Sequence, residues 1–159
     1  MRIAGANDIE PGFRGTYTQS KAWLAGYLGA TSARFVFNGS ADGCAWTVTN
    51  RGCNNGWTMA GLYYLSAGAG PTRIVNLPQI YNNTMAAQWK YISLTGIATQ
   101  RPRINFGGVL TEFTACAQAG GCGSLTGNSA WTQLWNQLQS ARALRIGSLP
   151  YSTDLRIDR

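Results

Sequence analysis

Short apolar strand candidates alternate with helix candidates from one end of this chain to the other, and that alternation restricts the fold more than any other feature. Neighbouring strands joined through a helix run parallel with right-handed crossovers, so successive β/α units build a parallel sheet covered by helices. The apolar periodicity predicts strands over 2–8, 34–38, 73–81 and 103–113, and a final strand or extended tail over 149–157. It predicts helices over 18–28, with Trp23, Leu24 and Tyr27 on one face, and over 84–94, with Met85, Trp89 and Ile92 at helical spacing. A last helix over 130–143 is amphipathic through Trp131, Leu134, Trp135 and Leu138. Segment 56–69 fits either state, with helix favoured by Met59, Leu62, Tyr63 and Leu65. Pro78 interrupts the third strand, and the Gly107-Gly108 pair predicts a bulge or a close backbone approach in the fourth.

With 159 residues, 45% of them apolar, and no linker, repeat or low-complexity segment, the chain reads as a single domain over 1–159. A closed barrel of eight strands takes about 250 residues. Five strands therefore predict an α/β fold that is a partial (β/α) barrel, lacking its first three β/α units. An open doubly wound sheet would fit the length, but its nucleotide-binding glycine fingerprint is absent.

The cysteines speak to compartment. Cys44 with Cys53, and Cys116 with Cys122, each close a short polar loop, which predicts two disulfides and an oxidising environment. Zinc is disfavoured by this spacing and by the lack of any histidine, so neither a metal nor another cofactor is expected. No apolar run follows the charge at the N-terminus as in a signal peptide, and none is long enough to span a membrane. Together these features predict the downstream part of a longer exported protein, extracellular or at the cell surface. The net charge of +7 raises the question of a polyanionic partner. The arginines fall singly, however, at positions such as Arg14, Arg34, Arg51, Arg73 and Arg101, without the interleaved aromatics of a nucleic-acid groove, which argues against nucleic acid.

Acids are scarce, and their placement carries the functional reading. Of six, Asp8, Glu10, Asp42 and Glu112 each lie at or just after the end of a predicted strand. The carboxyl ends of parallel strands open on one side, where ligands bind, so these acids are expected to converge. Glycoside hydrolysis needs one carboxyl group to protonate the leaving oxygen and a second to act as nucleophile or activate water. Glu10 and Glu112 are the expected pair, with Asp8 and Asp42 orienting substrate. If the first predicted strand is the fourth of a barrel, this pair falls on strands four and seven, as in retaining barrel glycosidases. The competing reading makes Asp8 a turn cap and pairs Glu112 with an arginine such as Arg103 or Arg73.

Trp46 and Trp57 flank the first cysteine loop and Tyr81 ends the third strand, so these rings are expected to line a saccharide cleft. Asn38 and Gln79 are candidates for hydrogen bonds to sugar hydroxyls. Trp23, Trp89, Trp131 and Trp135 lie on helix faces and are expected in the core. Lacking histidine, the chain cannot assemble a Ser-His-Asp or Cys-His arrangement, and it has no P-loop.

The segments Ala6-Asn7-Asp8-Ile9-Glu10-Pro11, Asn38-Gly39-Ser40-Ala41-Asp42-Gly43-Cys44, Cys53-Asn54-Asn55-Gly56-Trp57, Leu77-Pro78-Gln79-Ile80-Tyr81 and Leu149-Pro150-Tyr151-Ser152-Thr153-Asp154 carry a resemblance. In them the chain resembles the C-terminal part of a group of secreted bacterial proteins with a glycoside-hydrolase-like barrel. The resemblance covers nearly the whole chain and implies a barrel-derived fold and secretion, but no particular substrate. In the Pro-x-Ile-Tyr segment this chain carries Gln79, an amide that cannot transfer a proton. The resulting expectation is a glycosidase-like domain acting on cell-wall glycan or another polysaccharide. The alternative is a non-catalytic carbohydrate-binding or surface-interaction domain.

Overall fold

A computed structural model describes residues 4–121 and 123–157. The fold is α/β: five short strands, β1 (Ala4–Asn7), β2 (Arg34–Phe37), β3 (Ile74–Asn76), β4 (Gly108–Thr111) and β5 (Tyr151–Asp154), pair in parallel throughout. They form two small sheets, ordered β1-β2-β3 and β4-β5. Two isolated parallel bridges, Asn76 with Phe106 and Gln79 with Leu110, join the third strand to the fourth. No barrel closes. The break lies where the third predicted strand meets Pro78, which has no N–H to give to a ladder, so pairing stops after Asn76 and resumes for one residue at Gln79. Gly108 is the close approach that its neighbourhood predicts: a Cβ there would lie 2.3 Å from the carbonyl oxygen of Tyr151 on the paired strand.

Between β1 and β2 runs α1 (Tyr17–Ala30). It opens on a capping box in which the Thr16 hydroxyl accepts from Gln19 N at 3.2 Å and Gln19 Oε1 accepts from Thr16 N at 2.9 Å. Its other end is held by Arg73, whose guanidinium donates to the carbonyls of Leu28 at 2.9 Å, Ala33 at 3.1 Å and Thr31. The ambiguous segment is helical: α2 (Met59–Tyr63) continues as a π-helical turn over Tyr64–Gly68. Next come α3 (Met85–Ala98), a helix not foreseen, α4 (Phe113–Gln118), and α5 (Gly127–Gln139). Alternate residues of β2, Phe35 and Phe37, are fully buried. Phe35 packs on Trp23 and Tyr27 of α1, and Phe37 meets Trp89 of α3 edge-on at 5.8 Å. Leu134 and Leu138 of α5, with Val109 of β4, belong to the same apolar core.

Cys44 and Cys53 form a disulfide. The expected pairing of Cys116 with Cys122 lies outside the described residues, because Cys122 is not among them. Among the described residues, no helix is long and apolar enough to cross a membrane.

Candidate functional site

Parallel pairing puts the residues that follow β1, β2, β3 and β4 at one end of the strands, and three loops meet there through side-chain and backbone bonds. Gln79, after β3, is buried and donates from Nε2 to Asp8 Oδ1 at 2.8 Å, across 71 residues of sequence. Ser40 N, after β2, donates to Glu10 Oε2 at 3.2 Å. Asp42 Oδ2 and Glu10 Oε1 both lie over Gly12, where a Cβ would come within 2.2 Å and 3.2 Å of them. Glycine at position 12 is thus what lets the two carboxylates close over the β1 loop. Gly39 does the same for the backbone, since a Cβ there would lie 2.0 Å from the Ile9 carbonyl oxygen.

Electrostatics tie Glu112 to this group. Burial drives the Tyr81 hydroxyl far above its ordinary range, and Glu112, Asp8, Glu10 and Asp42 push it the same way. The four strand-end acids therefore all lie within electrostatic reach of one phenol. Glu112 itself is the residue from which α4 starts, directly after β4. Burial raises the carboxyl of Asp8; Asp42 adds to the rise, while Gln79 and Glu10 oppose it with hydrogen bonds. Burial also raises Glu10, Ser40 opposes the rise, and Asp8 and Asp42 reinforce it. None of these acids forms an ion pair with lysine or arginine among the described residues. Nor, among those residues, are three or more His, Cys, Asp or Glu side chains arranged to hold a metal ion.

The aromatic expectations fare differently. Trp57 is no cleft wall: it is 2% exposed, packs edge-on against Tyr17 and donates its indole N–H to Gly15 O at 3.3 Å. Trp46 is 52% exposed, on the surface of the disulfide loop. Trp89 is in the core as expected, and Trp131 and Trp135 stack on each other, half-buried, at 5.4 Å. Trp23, expected in the core, is 44% exposed. It lines a cavity of about 250 Å³ together with Asp8, Glu10, Phe13, Gln19 and Ser20. Gln79 holds Asp8, and Asn38 Oδ1 is buried with no hydrogen-bond partner. Phe13, Gly12 and Ser40 escaped sequence reading because none carries a charge or a periodic signal.

Comparison of the chain with family models, curated proteins and solved structures gives no match.

Proposed function

We propose that this chain is a glycosidase-like domain that acts on cell-wall glycan or another polysaccharide, with Glu10 and Glu112 as its carboxyl pair. One observation carries the reading: four of the chain's six acids, from the loops after β1 and β2 and from the start of α4, act electrostatically on a single half-buried phenol, Tyr81. Such a cluster in a chain of net charge +7, without cationic partners among the described residues, costs folding free energy and calls for a functional reason. A carboxyl raised by burial, as Glu10 is, suits proton donation to a leaving oxygen. Glu112 then serves as nucleophile or base, while Asp8, fixed by Gln79, and Asp42 orient the sugar.

The finer fold consistent with this chemistry is a partial (β/α) barrel. Five parallel strands follow one another in sequence order, and the two bridges between β3 and β4 keep the second sheet in line with the first. Further β/α units would add at the β1 edge, whose residues are exposed or half-buried. The Cys44–Cys53 disulfide supports an extracellular or cell-surface setting.

Hydrolysis of a panel of cell-wall and plant polysaccharides, followed by release of reducing ends, tests the reading. Wild-type protein should release sugar, and E10Q and E112Q should each lose about 10²-fold or more in kcat. If E112Q works as fast as wild type, the carboxyl-pair assignment fails. If the wild type binds glycan without cleaving it, the domain is a binding module.

A further inference from the structure

The carboxyl cluster has a neighbour that the proposed reaction does not require. Between the end of β1 and the first turns of α1 lies the cavity of about 250 Å³, smaller than the pockets of about 300 Å³ and above that take drug-sized ligands. A space of this size holds one sugar ring. Two large aromatic side chains line it, Phe13 at 51% exposure and Trp23 at 44%, and folding ordinarily withdraws such area from water. Trp23 is packed against two other rings on its inner side. Tyr27 stacks on it at 5.9 Å with 18° between planes, and Phe35 tilts against it at 5.6 Å. A ring fixed from behind and bare in front offers contact area with little ordering cost.

The polar part of the lining has one sign. Asp8 and Glu10 line the cavity, while no lysine or arginine does, although Arg14 lies between the lining residues Phe13 and Gly15 in sequence. Lys21, the nearest cation on α1, sits over the Tyr64 ring at 5.3 Å. Aromatic faces beside uncompensated carboxylates are the combination that attracts a positively charged amine, since the ring quadrupole and the carboxylates act in the same direction. A neutral ring would gain only the stacking.

We propose that this cavity is a subsite for one 2-amino-2-deoxy sugar ring with a free ammonium group, stacked on Trp23 beside Phe13 and charge-paired with Asp8. The assignment rests on the reading that this rim handles carbohydrate, and it narrows the substrate to a glycan containing unacetylated hexosamine.

Calorimetric titration of the whole chain with β-linked glucosamine trimer and with its N-acetylated counterpart tests it. The glucosamine trimer should bind at least 10-fold more tightly than the acetylated trimer. F13A and W23A should each weaken glucosamine binding about 10-fold or more. Because Trp23 also packs against Tyr27 and Phe35, W23A is read only if its circular dichroism matches wild type; Phe13 makes no ring contact among the described residues, so F13A reads the subsite independently. Equal affinity for both trimers, or unchanged glucosamine binding by F13A, overturns the subsite. If neutral glycans are meanwhile cleaved in a Glu112-dependent way, the carboxyl-pair reading survives that failure; if nothing is cleaved, both fall.

Discussion

Burial holds the carboxyl of Glu10 above its ordinary range, and the sign of that shift dictates how stability changes when the charge is removed. A group that binds its proton more tightly in the folded state than in the unfolded chain makes the folded state less stable above its folded pKa. That cost disappears as pH falls through the folded value toward about 4.5, the unfolded one. E10Q keeps an oxygen to accept from Ser40 N while discarding the charge, so at pH 7 it should melt above wild type. Glu10 is only partly buried, and solvent screening limits the gain to below about 1 kcal/mol, a few degrees at most. Asp154 gives the opposite sign. Burial would raise it, but hydrogen bonds from Thr114 and Thr111 outweigh that effect and hold it below its ordinary range. Its contribution is present above about 3.8 and lost as pH falls through the folded value. D154N should therefore melt below wild type at pH 7. Melting curves for E10Q at pH 7 and pH 4, and for D154N at pH 7 and about pH 2, check the pair: each difference should shrink on acidification, and a destabilised E10Q at pH 7 would mean that Glu10 is a structural residue.

At the scale of elements, α1 depends on a residue outside itself. Its first turn is capped locally by Thr16 and Gln19, but at its other end the Leu28 carbonyl, that of the C-cap Thr31 and that of Ala33 just beyond find their donor in Arg73, some forty residues downstream and directly before β3. A cation at the helix C-terminus satisfies orphan acceptors and complements the helix dipole together. Charge-assisted bonds of this kind contribute about 1.5–3 kcal/mol, so R73A should lower the melting temperature by roughly 4–8 °C. R73K should recover little of it, because an ammonium cannot match a fork that reaches three carbonyls. Equal melting of R73A and wild type would show that the contact is incidental. Such contacts also mark where sequence stops being informative. The strands, α3 and α5 were legible because period and punctuation are local properties. Trp23 was misplaced because the spacing of Trp23 and Tyr27 identifies a shared helix face without saying whether anything covers it. Trp57 was misplaced because a loop closed by Cys44 and Cys53 reads as exposed, whereas its end folds back onto Tyr17 and Gly15. Helix α4 was missed because Glu112 supplies no side-chain cap and the helix is only six residues long. The convergence of strand-end acids was legible from topology. The Gln79–Asp8 bond was not, since it depends on how two loops pack after the sheet has formed.

The whole molecule poses a question that its two sheets leave open: whether β4 and β5 fold with the rest or apart from it. Main-chain pairing between the third and fourth strand segments is thin: around the two bridges beside Pro78, Asn76 N donates to Asn105 O, Gly107 N to Asn76 O, Leu110 N to Pro78 O and Ile80 N to Leu110 O. Side-chain packing is not. A single apolar cluster contains Phe35 and Phe37 of β2, Ile74 of β3, Trp89 and Ile92 of α3, Val109 of β4, and Leu134 and Leu138 of α5. Helix α3 packs against both α2 and α5, bridging the halves on the helical side. Buried apolar area contributes more to cohesion than these four ladder bonds do, at about 25 cal/mol per Å² against about 1 kcal/mol for a hydrogen bond. The halves should therefore melt together. At about 0.7 kcal/mol per residue near 60 °C, a chain of 159 residues unfolding as one unit absorbs about 110 kcal/mol. Scanning calorimetry of the oxidised protein should show one peak of about that size, with matching calorimetric and van't Hoff enthalpies. A van't Hoff enthalpy near half the calorimetric value would mean that β4, β5 and α5 unfold on their own. The acid cluster would then straddle a joint between two units, since Glu112 follows β4 while Asp8, Glu10 and Asp42 lie in loops that follow strands of the first sheet.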